Sequence, residues 1–326
     1  MARALITGVT GQDGKHLSEF LLSLGYEVYG MINGQRSDES NSLREEFSKV
    51  VQVRGDLTDS SSLVRVLEET QPDEIYNLGA ISFVGMSFQQ PELTANVTGL
   101  GALRVFEAVR ALKLTNSVRI YQASSSEMYG KVRQVPQNEM TPFYPRSPYG
   151  IAKVFAHQAS INYREAYGMH ISCGILFNHE GERRGPEFVT RKISQGVARI
   201  YLGLQEKIIL GDLSPMRDWG YAGDYVVAMW KMLQEEVPDD YVIATGEAHS
   251  VREFVELALK VAGLKGNVED FVEFDPQFTR PSEVDLLVGD ASKAKNKLGW
   301  SPTVNFGQLV ELMVKNDIAI ETSKLR

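Results

Sequence analysis

Tyr149 and Lys153 are the residues whose types and spacing most directly indicate chemistry. Four residues apart on a helix, they would share one face and lie one turn from each other. An ammonium group there can favour the phenolate and move the pKa of the tyrosine from about 10 toward neutrality. Because a phenolate can take the proton of an alcohol while hydride leaves, the pair predicts a site that oxidises an alcohol.

A serine and a glutamate stand upstream of this pair, in the run Ser124-Ser125-Ser126-Glu127. Alternate residues at the end of a strand face the same side, so Ser125 and Glu127 are predicted to point into one cleft. Glu127 adds a base for a second proton, which simple alcohol oxidation does not need. The alternative is a hydroxyl-rich loop with an exposed glutamate, and the downstream Tyr149 and Lys153 favour the catalytic interpretation.

The chain opens with an apolar run that leads into a glycine-rich turn. The turn contains Gly8, Thr10, Gly11, Gln12, Asp13 and Gly14, with its glycines spaced as Gly-x-x-Gly-x-x-Gly. Backbone without side chains can approach a pyrophosphate closely, and the N-terminus of the following helix favours its negative charge. The turn therefore predicts binding of a dinucleotide, against the alternative of a merely structural glycine turn.

The choice between NAD and NADP should depend on residues at the end of the second strand. The sequence there is Asn33-Gly34-Gln35-Arg36, with no carboxylate for a ribose 2′-hydroxyl. Arg36 could meet a 2′-phosphate, so NADP is favoured over NAD. A solvated loop arginine is the alternative.

Short apolar runs alternate with helical patterns in the first half of the chain, as in parallel βαβ units. The predicted strands are Ala4–Thr7, Glu27–Met31, Val50–Val53, Glu74–Leu78, Ser117–Ala123 and Ile171–Leu176. The predicted helices are Lys15–Leu24, Ser60–Glu69, Leu93–Leu112 and Ser147–Tyr167. The pattern predicts an α/β fold with a doubly wound parallel Rossmann-type sheet that binds ligands at the carboxyl ends of its strands.

Two domains are predicted. Residues 1–176 would bind the dinucleotide, and residues 223–245 would return to that domain. Residues 177–222 and 246–326 would form a smaller α/β substrate-binding domain, because basic residues cluster in them: Arg183, Arg184, Arg191, Lys192, Arg217 and Arg280.

Composition narrows the possible partners and locations. The 326 residues carry a net charge of −8 with a pI near 5.3, which argues against non-specific binding of nucleic acid. Cys173 is the only cysteine and stands in an apolar run, so a buried strand thiol is expected. No metal site and no membrane span are predicted. The first strand leads directly into the glycine turn without a signal peptide, so a cytoplasmic location is expected.

Two longer stretches are more specific than any glycine motif. They are Pro142-Phe143-Tyr144-Pro145-Arg146-Ser147-Pro148-Tyr149-Gly150 and Ile175-Leu176-Phe177-Asn178-His179-Glu180. With matching stretches nearly end to end, the chain resembles the extended short-chain dehydrogenase/reductases, and within them the GDP-mannose 4,6-dehydratase family. The resemblance implies a lyase that removes water from a GDP-sugar with a recycled nicotinamide cofactor.

The resemblance also implies roles for particular residues. The catalytic set would be Ser125, Glu127, Tyr149 and Lys153. Cofactor contacts would come from the glycine turn, Arg36, Asp56, Leu57, Leu78, Gly79, Ala80, Ser82, Tyr149, Lys153, His179 and Arg184. The nucleotide-sugar would meet Ser82, Glu127, Asn178, Lys192, Arg217, Arg280 and Glu283.

Several positions depart from the family pattern. Ser125 replaces a threonine but keeps the hydroxyl, so activity should survive. Asn33-Gly34 replaces an arginine pair that faces the 2′-phosphate, which leaves NAD possible. The loop from Gly34 to Val50 is short for a family in which this region pairs dimers, so a homodimer is expected and a homotetramer is in question. Ile81 and Phe83, near the sugar site, and Gly181-Glu182, in place of a Ser-Pro pair, leave room for another hexose or a heptose.

The implied reaction has three stages. Tyr149 takes the 4-hydroxyl proton as hydride leaves C4, Glu127 takes the C5 proton and helps water leave from C6, and hydride returns to C6. Ser125 would bond the 4-oxygen, and Lys153 would orient the cofactor and sustain the phenolate. The alternatives are a nucleotide-sugar epimerase, a decarboxylase acting on a UDP-uronic acid, and a catalytically silent NADP-binding regulator.

Overall fold

The computed structural model describes residues 1–33, 48–278, 284 and 286–325. Its centre is a seven-stranded sheet in which all neighbouring strands run parallel. The strands of this sheet are β1 (Arg3–Thr7), β2 (Glu27–Ile32), β3 (Val51–Arg54), β4 (Glu74–Asn77), β5 (Arg119–Ser125), β6 (His170–Leu176) and β11 (Asp240–Ile243). Their order across the sheet is β11-β6-β5-β4-β1-β2-β3: β2 and β3 are added on one side of β1, and β4, β5, β6 and β11 on the other. The doubly wound parallel sheet predicted from the sequence is confirmed.

Helices cover both faces of the sheet. They are α1 (Gln12–Ser23), α2 (Ser60–Thr70), α3 (Val84–Gln89), α4 (Pro91–Thr94), α5 (Gly101–Ala111), α6 (Pro148–Tyr167) and α8 (Ala222–Gln234). One face packs on α1 and α8, through residues such as Leu17 and Met229. The other packs on α2, α5 and α6, through residues such as Leu67 and Phe106. Because both faces are covered, six of the seven strands are buried along most of their length rather than alternating between buried and exposed residues.

The later part of the chain forms a second set of elements. They are β7 (Asn178–Glu180), α7 (Val189–Tyr201), β8 (Ile208–Leu210), β9 (Met216–Arg217), β10 (Trp219–Tyr221), β12 (His249–Ser250), α9 (Val251–Val261), α10 (Val268–Phe271), β13 (Val272–Phe274), β14 (Leu286–Leu287), α11 (Ser292–Leu298) and α12 (Phe306–Lys324). Helices α7, α9 and α12 share an apolar core with Trp219 at its edge. We call these three helices and the strands β7–β10 and β12–β14 the second lobe. The boundaries of the two predicted domains stay a prediction.

Two local predictions change in detail. Helix α1 begins at Gln12, so Gly14 lies in its first turn rather than in the loop before it. The single helix expected over Leu93–Leu112 is interrupted, because residues 95–100 form a π-helical turn between α4 and α5. Such turns inside helices often accompany functional sites. Among the described residues, no helix is both long and apolar enough to cross a bilayer.

Candidate active site

The glycine turn leaves space that side chains would fill. Gly8 has φ +70°, and a Cβ there would lie 2.9 Å from the Cα of Gly79. A Cβ on Gly14 would lie 2.5 Å from the carbonyl oxygen of Gly8. The turn can therefore pack this tightly only with glycine at both positions. Backbone amides of the turn and of the N-terminus of α1 could therefore hold a pyrophosphate.

Asp13, in the first turn of α1, pairs with His179 of β7. The His179 Nε2 lies 2.7 Å from Asp13 Oδ2, and its Nδ1 donates to the Phe177 carbonyl at 2.7 Å. Burial alone would lower the pKa of His179, but the charge and hydrogen bond of Asp13 outweigh it and raise that pKa. Burial acts to raise the pKa of Asp13, and the His179 charge reverses this and holds the pKa well below its usual range. The ring of His179 also stacks on Tyr225 at 4.7 Å.

A chain of buried polar side chains crosses the carboxyl ends of three adjacent strands. Thr7 donates to Asn77 at 2.7 Å, and Asn77 donates to Gln122 at 2.8 Å. Gln122 donates to the Ala123 carbonyl at 3.1 Å, which also accepts from Lys153 Nζ at 2.6 Å. These bonds satisfy groups that would be costly to bury alone and fix Lys153 against β5.

Lys153 is almost fully enclosed, with 4% of its surface exposed. Burial lowers its pKa from 10.5 to about 8, against an opposing effect of the Asp13 charge. Its Nζ lies 5.6 Å from the centre of the Tyr149 ring. The two residues share one face of α6, as their spacing predicted.

The start of α6 places Tyr149 beside the turn after β5. Ser147 caps the helix by accepting from the Gly150 amide at 3.0 Å, and Pro148 occupies the first helical position. A Cβ on Gly150 would lie 2.7 Å from the Glu127 carbonyl oxygen. Glycine at this position therefore lets the helix approach the turn that carries Glu127.

Ser125 and Glu127 meet Tyr149 by a geometry that strand alternation did not predict. Strand β5 ends at Ser125, and residues Ser126–Met128 form a 3-10 turn. The Ser125 hydroxyl accepts from the Glu127 amide at 3.2 Å, and it lies near enough to the Tyr149 phenol to act on its pKa. Glu127 lies in this 3-10 turn, two residues beyond the end of β5, so strand alternation does not direct its side chain, and the cleft shared with Ser125 stays a prediction. Ser125 and Glu127 nevertheless both act on the Tyr149 phenol.

The pKa of Tyr149 is raised, contrary to the expectation from the Tyr-x-x-x-Lys spacing. Burial is the main cause, and the negative charge of Glu127 adds to it. The Ser125 hydrogen bond and the positive charge of Arg184 act in the opposite direction. The predicted acidifying effect of Lys153 is wrong for this arrangement, in which its ammonium hydrogen bond goes to the Ala123 carbonyl.

Arg184 links this site to the second lobe. Its charge acts on both Tyr149 and Asp13, and its Nε lies 2.9 Å from the buried Glu180 carboxylate. Its guanidinium also lies 3.5 Å from the ring centre of Phe188, which packs edge-on against Phe83. The aromatic pair thus joins the loop after β4 to the beginning of α7.

The other expected cofactor residues line the neighbouring strand ends. Asn33 donates to Asp56 at 3.1 Å, and buried Leu57 packs against Gly101. Residues 78–82 follow β4, with the Gly79 amide bonded to Thr7 and Ser82 exposed. Thr10 lies half-buried in the glycine turn, before Gly11. These placements bring most of the cofactor set to one edge of the sheet.

The expected substrate residues of the second lobe are more dispersed. Asn178 begins β7, and Lys192 of α7 lies 3.5 Å from the ring centre of Phe278. Arg217 is buried in β9 and donates to the Met216 carbonyl at 2.9 Å. Three expected residues lie outside the described part of the chain: Arg36, Arg280 and Glu283.

Sequence reasoning missed residues that support the site. Thr7, Asn77 and Gln122 could have been found as polar residues near the ends of otherwise apolar strands. Thr98, in the π-helical turn, accepts from the Ile81 amide at 3.1 Å and holds the loop after β4. Nothing in the local sequence around Thr98 indicates this contact, because its partner lies 17 residues away.

Comparison with known proteins gives a consistent result over nearly the whole chain. A family model described as GDP-mannose 4,6 dehydratase matches residues 5–313. GDP-mannose 4,6 dehydratase from Homo sapiens is 52% identical over 342 residues, which cover 97% of this chain and 91% of the relative. GDP-mannose 4,6 dehydratase 1 from Arabidopsis thaliana is 51% identical and covers 97% of this chain and 90% of the relative.

Solved structures show the same architecture at lower identity. The UDP-glucose 4-epimerase of Thermus thermophilus, solved as a complex with NAD, superimposes with a TM-score of 0.83 at 29% identity. The alignment covers 97% of this chain and 98% of that one. The fold is therefore shared with enzymes that carry out different reactions on nucleotide-sugars, and it does not by itself choose among them.

Proposed function

The chain belongs to the GDP-mannose 4,6-dehydratase family, and we propose that it acts through Tyr149 and Glu127 as its two bases. The reaction converts GDP-mannose to GDP-4-keto-6-deoxy-mannose. The observation that carries the assignment of residues is the convergence of the Ser125 hydroxyl and the Glu127 charge on the buried Tyr149 phenol. An alcohol oxidation needs only the phenol, whereas elimination of water needs a carboxylate within reach of the next carbon.

The roles of the residues follow from this geometry. Tyr149 takes the proton of the 4-hydroxyl, and Ser125 bonds the oxygen on which charge develops. The Ser125 hydroxyl and Arg184 both oppose the effect of burial on the phenol, so they favour the phenolate at the moment of proton transfer. Glu127 removes the C5 proton, made acidic by the adjacent ketone, and gives a proton to the hydroxyl that leaves C6 as water. When hydride is added at C6, C5 regains a proton from Tyr149, which returns the phenol to its starting state.

The cofactor that we propose is NADP, held at the glycine turn with its nicotinamide beside Tyr149. Bound there, it supplies the acceptor for hydride from C4 and the donor of hydride to C6. At the end of β2 the neutral Asn33 amide bonds Asp56, so the position that often carries an NAD-selecting carboxylate has none. Arg36 follows closely in the sequence and would pair with a 2′-phosphate.

The nucleotide-sugar would lie between the two lobes. Asn178, Lys192 and Arg217 offer an amide and two cations for hydroxyl and diphosphate oxygens. The aromatic pair Phe83–Phe188 stands beside Arg184 and would form one wall of the sugar site.

We also propose that the chain forms a homodimer through α6 and the π-helical turn beside it. Ile151 and Phe155 of α6 are 59% and 44% exposed, and Leu93 and Leu100 are 44% and 40% exposed. A Cβ on Gly99 would lie 3.4 Å from the Phe155 ring, so the π-helical turn and α6 are adjacent here. A second copy would remove this apolar surface from water. Sedimentation should give a dimer for the wild type and a monomer for Phe155→Glu, with the exposed Val237→Glu as a control that stays dimeric.

The function is tested by mass analysis of GDP-mannose incubated with the purified protein and no added reductant. We expect a product lighter by one water, with no net reduction or oxidation of cofactor. A product of unchanged mass would instead indicate epimerisation, and no product would contradict the assignment. The same assay on other GDP-hexoses and GDP-heptoses would show how far the sugar site discriminates.

A further inference from the structure

A second cluster of reactive side chains lies beneath the catalytic set, and none of the roles above uses it. His157 stands on α6, one turn beyond Lys153 and two beyond Tyr149, and only 3% of its surface is exposed. Its Nδ1 lies 2.9 Å from the hydroxyl of buried Ser124, and its Nε2 lies 3.9 Å from the Asp240 carboxylate. The cluster thus connects α6 to β5 and to the edge strand β11.

The two charged groups beside His157, Arg164 and Asp240, neutralise each other, so the ring does not need to carry a charge. Asp240 pairs with Arg164 at 2.6 Å, and the buried thiol of Cys173 lies beside the same guanidinium at 3.9 Å. Burial lowers the pKa of His157, and the positive charge of Arg164 adds to that effect against the attraction of Asp240. The imidazole is therefore neutral at physiological pH. A neutral ring directs its N–H toward the carboxylate, which leaves Nδ1 as an acceptor for the Ser124 hydroxyl.

The cluster is not suited to chemistry of its own. His157, Cys173 and Asp240 offer atoms within 4.8 Å of one another, as a metal site would. However, Arg164 already neutralises the carboxylate, and burial raises the pKa of the Cys173 thiol, so a cation would meet a guanidinium and a protonated sulfur. The Ser124–His157–Asp240 order resembles a hydrolytic triad, but Ser124 is 4% exposed and unavailable to a substrate.

Ser124 lies between the two backbone positions that the catalytic set depends on. The preceding residue, Ala123, supplies the carbonyl that holds Lys153 Nζ at 2.6 Å. The hydroxyl of the following residue, Ser125, lies near enough to the Tyr149 phenol to lower its pKa. A displacement of Ser124 would move both neighbours, and a shift of about 1 Å in a catalytic group can reduce the rate about 100-fold.

We propose that His157 is a positioning residue for the dehydration, acting through its hydrogen bond to Ser124. The inference rests on the proposed function. The bond joins the end of β5 to α6 and thereby fixes the positions of Ser125 and Lys153 relative to Tyr149. His157 is buried and has no part in the substrate and cofactor contacts proposed above, so its effect should fall on kcat rather than on KM.

The first test measures kcat and KM for GDP-mannose in variants of the bonded pair. Ser124→Ala should lower kcat about tenfold and leave KM within about twofold. His157→Leu should do the same, and the double variant should lose no more than either single one. His157→Asn should recover most of the rate, because its side-chain oxygen can accept the Ser124 hydroxyl where Nδ1 does.

The matched control is Ser160→Ala, on the same helix. Ser160 is equally buried, and its hydroxyl donates to the Ala156 carbonyl one turn upstream. Its removal should leave kcat unchanged. Equal losses in Ser124→Ala and Ser160→Ala, an unchanged kcat in Ser124→Ala, or additive losses in the double variant would overturn the proposal.

The second test needs no turnover. Nitrogen NMR of the ¹⁵N-histidine-labelled protein, with His157→Asn to assign the signal, should show a neutral ring protonated at Nε2 at pH 7. Ser124→Ala should shift the Nδ1 resonance. A charged ring at pH 7, or no response to Ser124→Ala, would overturn the proposed bond. If the wild type showed no dehydratase turnover, the proposed function would be contradicted. The NMR measurement would still show whether His157 and Ser124 are hydrogen-bonded.

Discussion

Asp13 and His179 form a 2.7 Å ion pair although 166 residues separate them in the sequence. The pair joins the first turn of α1 to β7, and thus the glycine turn to the second lobe. Gln12 strengthens the link, because its amide donates both to Asp13 at 3.1 Å and to the His179 carbonyl at 3.0 Å. The relative position of the two lobes at the cleft therefore depends on this charge pair.

Replacing Asp13 with Asn should destabilise the fold in a pH-dependent way. His179 has a raised pKa, so its contribution is complete below about pH 6.5 and is lost as pH rises through the folded-state value. Asp13 has a depressed pKa, so its contribution is present above about pH 4 and is lost as pH falls through the folded-state value. The free energy of unfolding should fall by about 2–3 kcal/mol near pH 5.5.

Urea unfolding at pH 5.5 and pH 9 measures this difference. The effect of Asp13→Asn should be smaller at pH 9 than at pH 5.5, because His179 loses its charge as pH rises through its raised folded-state pKa. Asp59→Asn is the control, because Asp59 is an exposed helix cap and asparagine caps as well as aspartate. An equal loss at both pH values would show that the pair does not stabilise through charge.

Glu127→Gln should separate oxidation from elimination. The amide cannot take the C5 proton, so turnover should fall by at least about 100-fold. The first oxidation needs only the phenol, so reduced cofactor should build up and be visible in its absorbance after mixing with GDP-mannose. Exposed Glu92→Gln should behave as the wild type. Elimination at a normal rate in Glu127→Gln would remove this residue from the role of base.

Tyr149→Phe should abolish the first step without disturbing the fold. The ring is 8% exposed and would keep its packing, whereas the hydroxyl that takes the substrate proton is lost. We expect a loss of about 100- to 10,000-fold in kcat, with no reduced cofactor formed and cofactor affinity retained. Tyr241→Phe removes another buried phenol hydroxyl, on the edge strand β11, and should retain activity. Full activity in Tyr149→Phe would make the phenol structural.

Lys153→Met should stabilise the protein at pH 7 while it inactivates the enzyme. Because burial lowers the pKa of Lys153 from 10.5 to about 8, the ammonium costs the folded state about 3 kcal/mol at neutral pH. Because the pKa of this base is lower in the folded state than in the unfolded state, its protonation destabilises the fold. The cost is complete below about pH 8, falls between pH 8 and 10.5, and vanishes above that range.

The measurement is denaturant unfolding of the wild type and Lys153→Met at pH 7 and pH 10. The loss of the bond to the Ala123 carbonyl will reduce the gain, so we expect about 1–3 kcal/mol at pH 7 and less at pH 10. Exposed Lys315→Met should change stability by less than about 0.5 kcal/mol. A destabilised Lys153→Met at pH 7 would contradict the electrostatic cost.

Arg36→Ala tests the cofactor by binding alone. An arginine–phosphate contact is worth about 1.5–3 kcal/mol, so NADP should bind about 10- to 100-fold more weakly and NAD almost unchanged. Arg65→Ala, at an exposed position of α2, should affect neither. If both cofactors respond alike, or if the wild type prefers NAD, Arg36 is solvated and Asn33-Gly34 marks a change of cofactor.

The sequence by itself was sufficient for the doubly wound sheet, the glycine turn and the face shared by Tyr149 and Lys153. These features follow from short-range periodicity and from steric limits that act within a few residues. The buried thiol of Cys173, expected from the apolar run around it, is confirmed as well. Domain boundaries, cofactor choice and the roles of the site residues stay predictions.

Only the tertiary structure decided the features that depend on contacts between residues distant in the chain. The Tyr149 pKa follows from burial and from Glu127 and Arg184, so the spacing to Lys153 predicted its direction wrongly. The Asp13–His179 pair and the Ser124–His157 bond arise only when separate strands and helices pack together. Charge and solvation act through space, and the neighbours that set them are fixed only once the chain has folded.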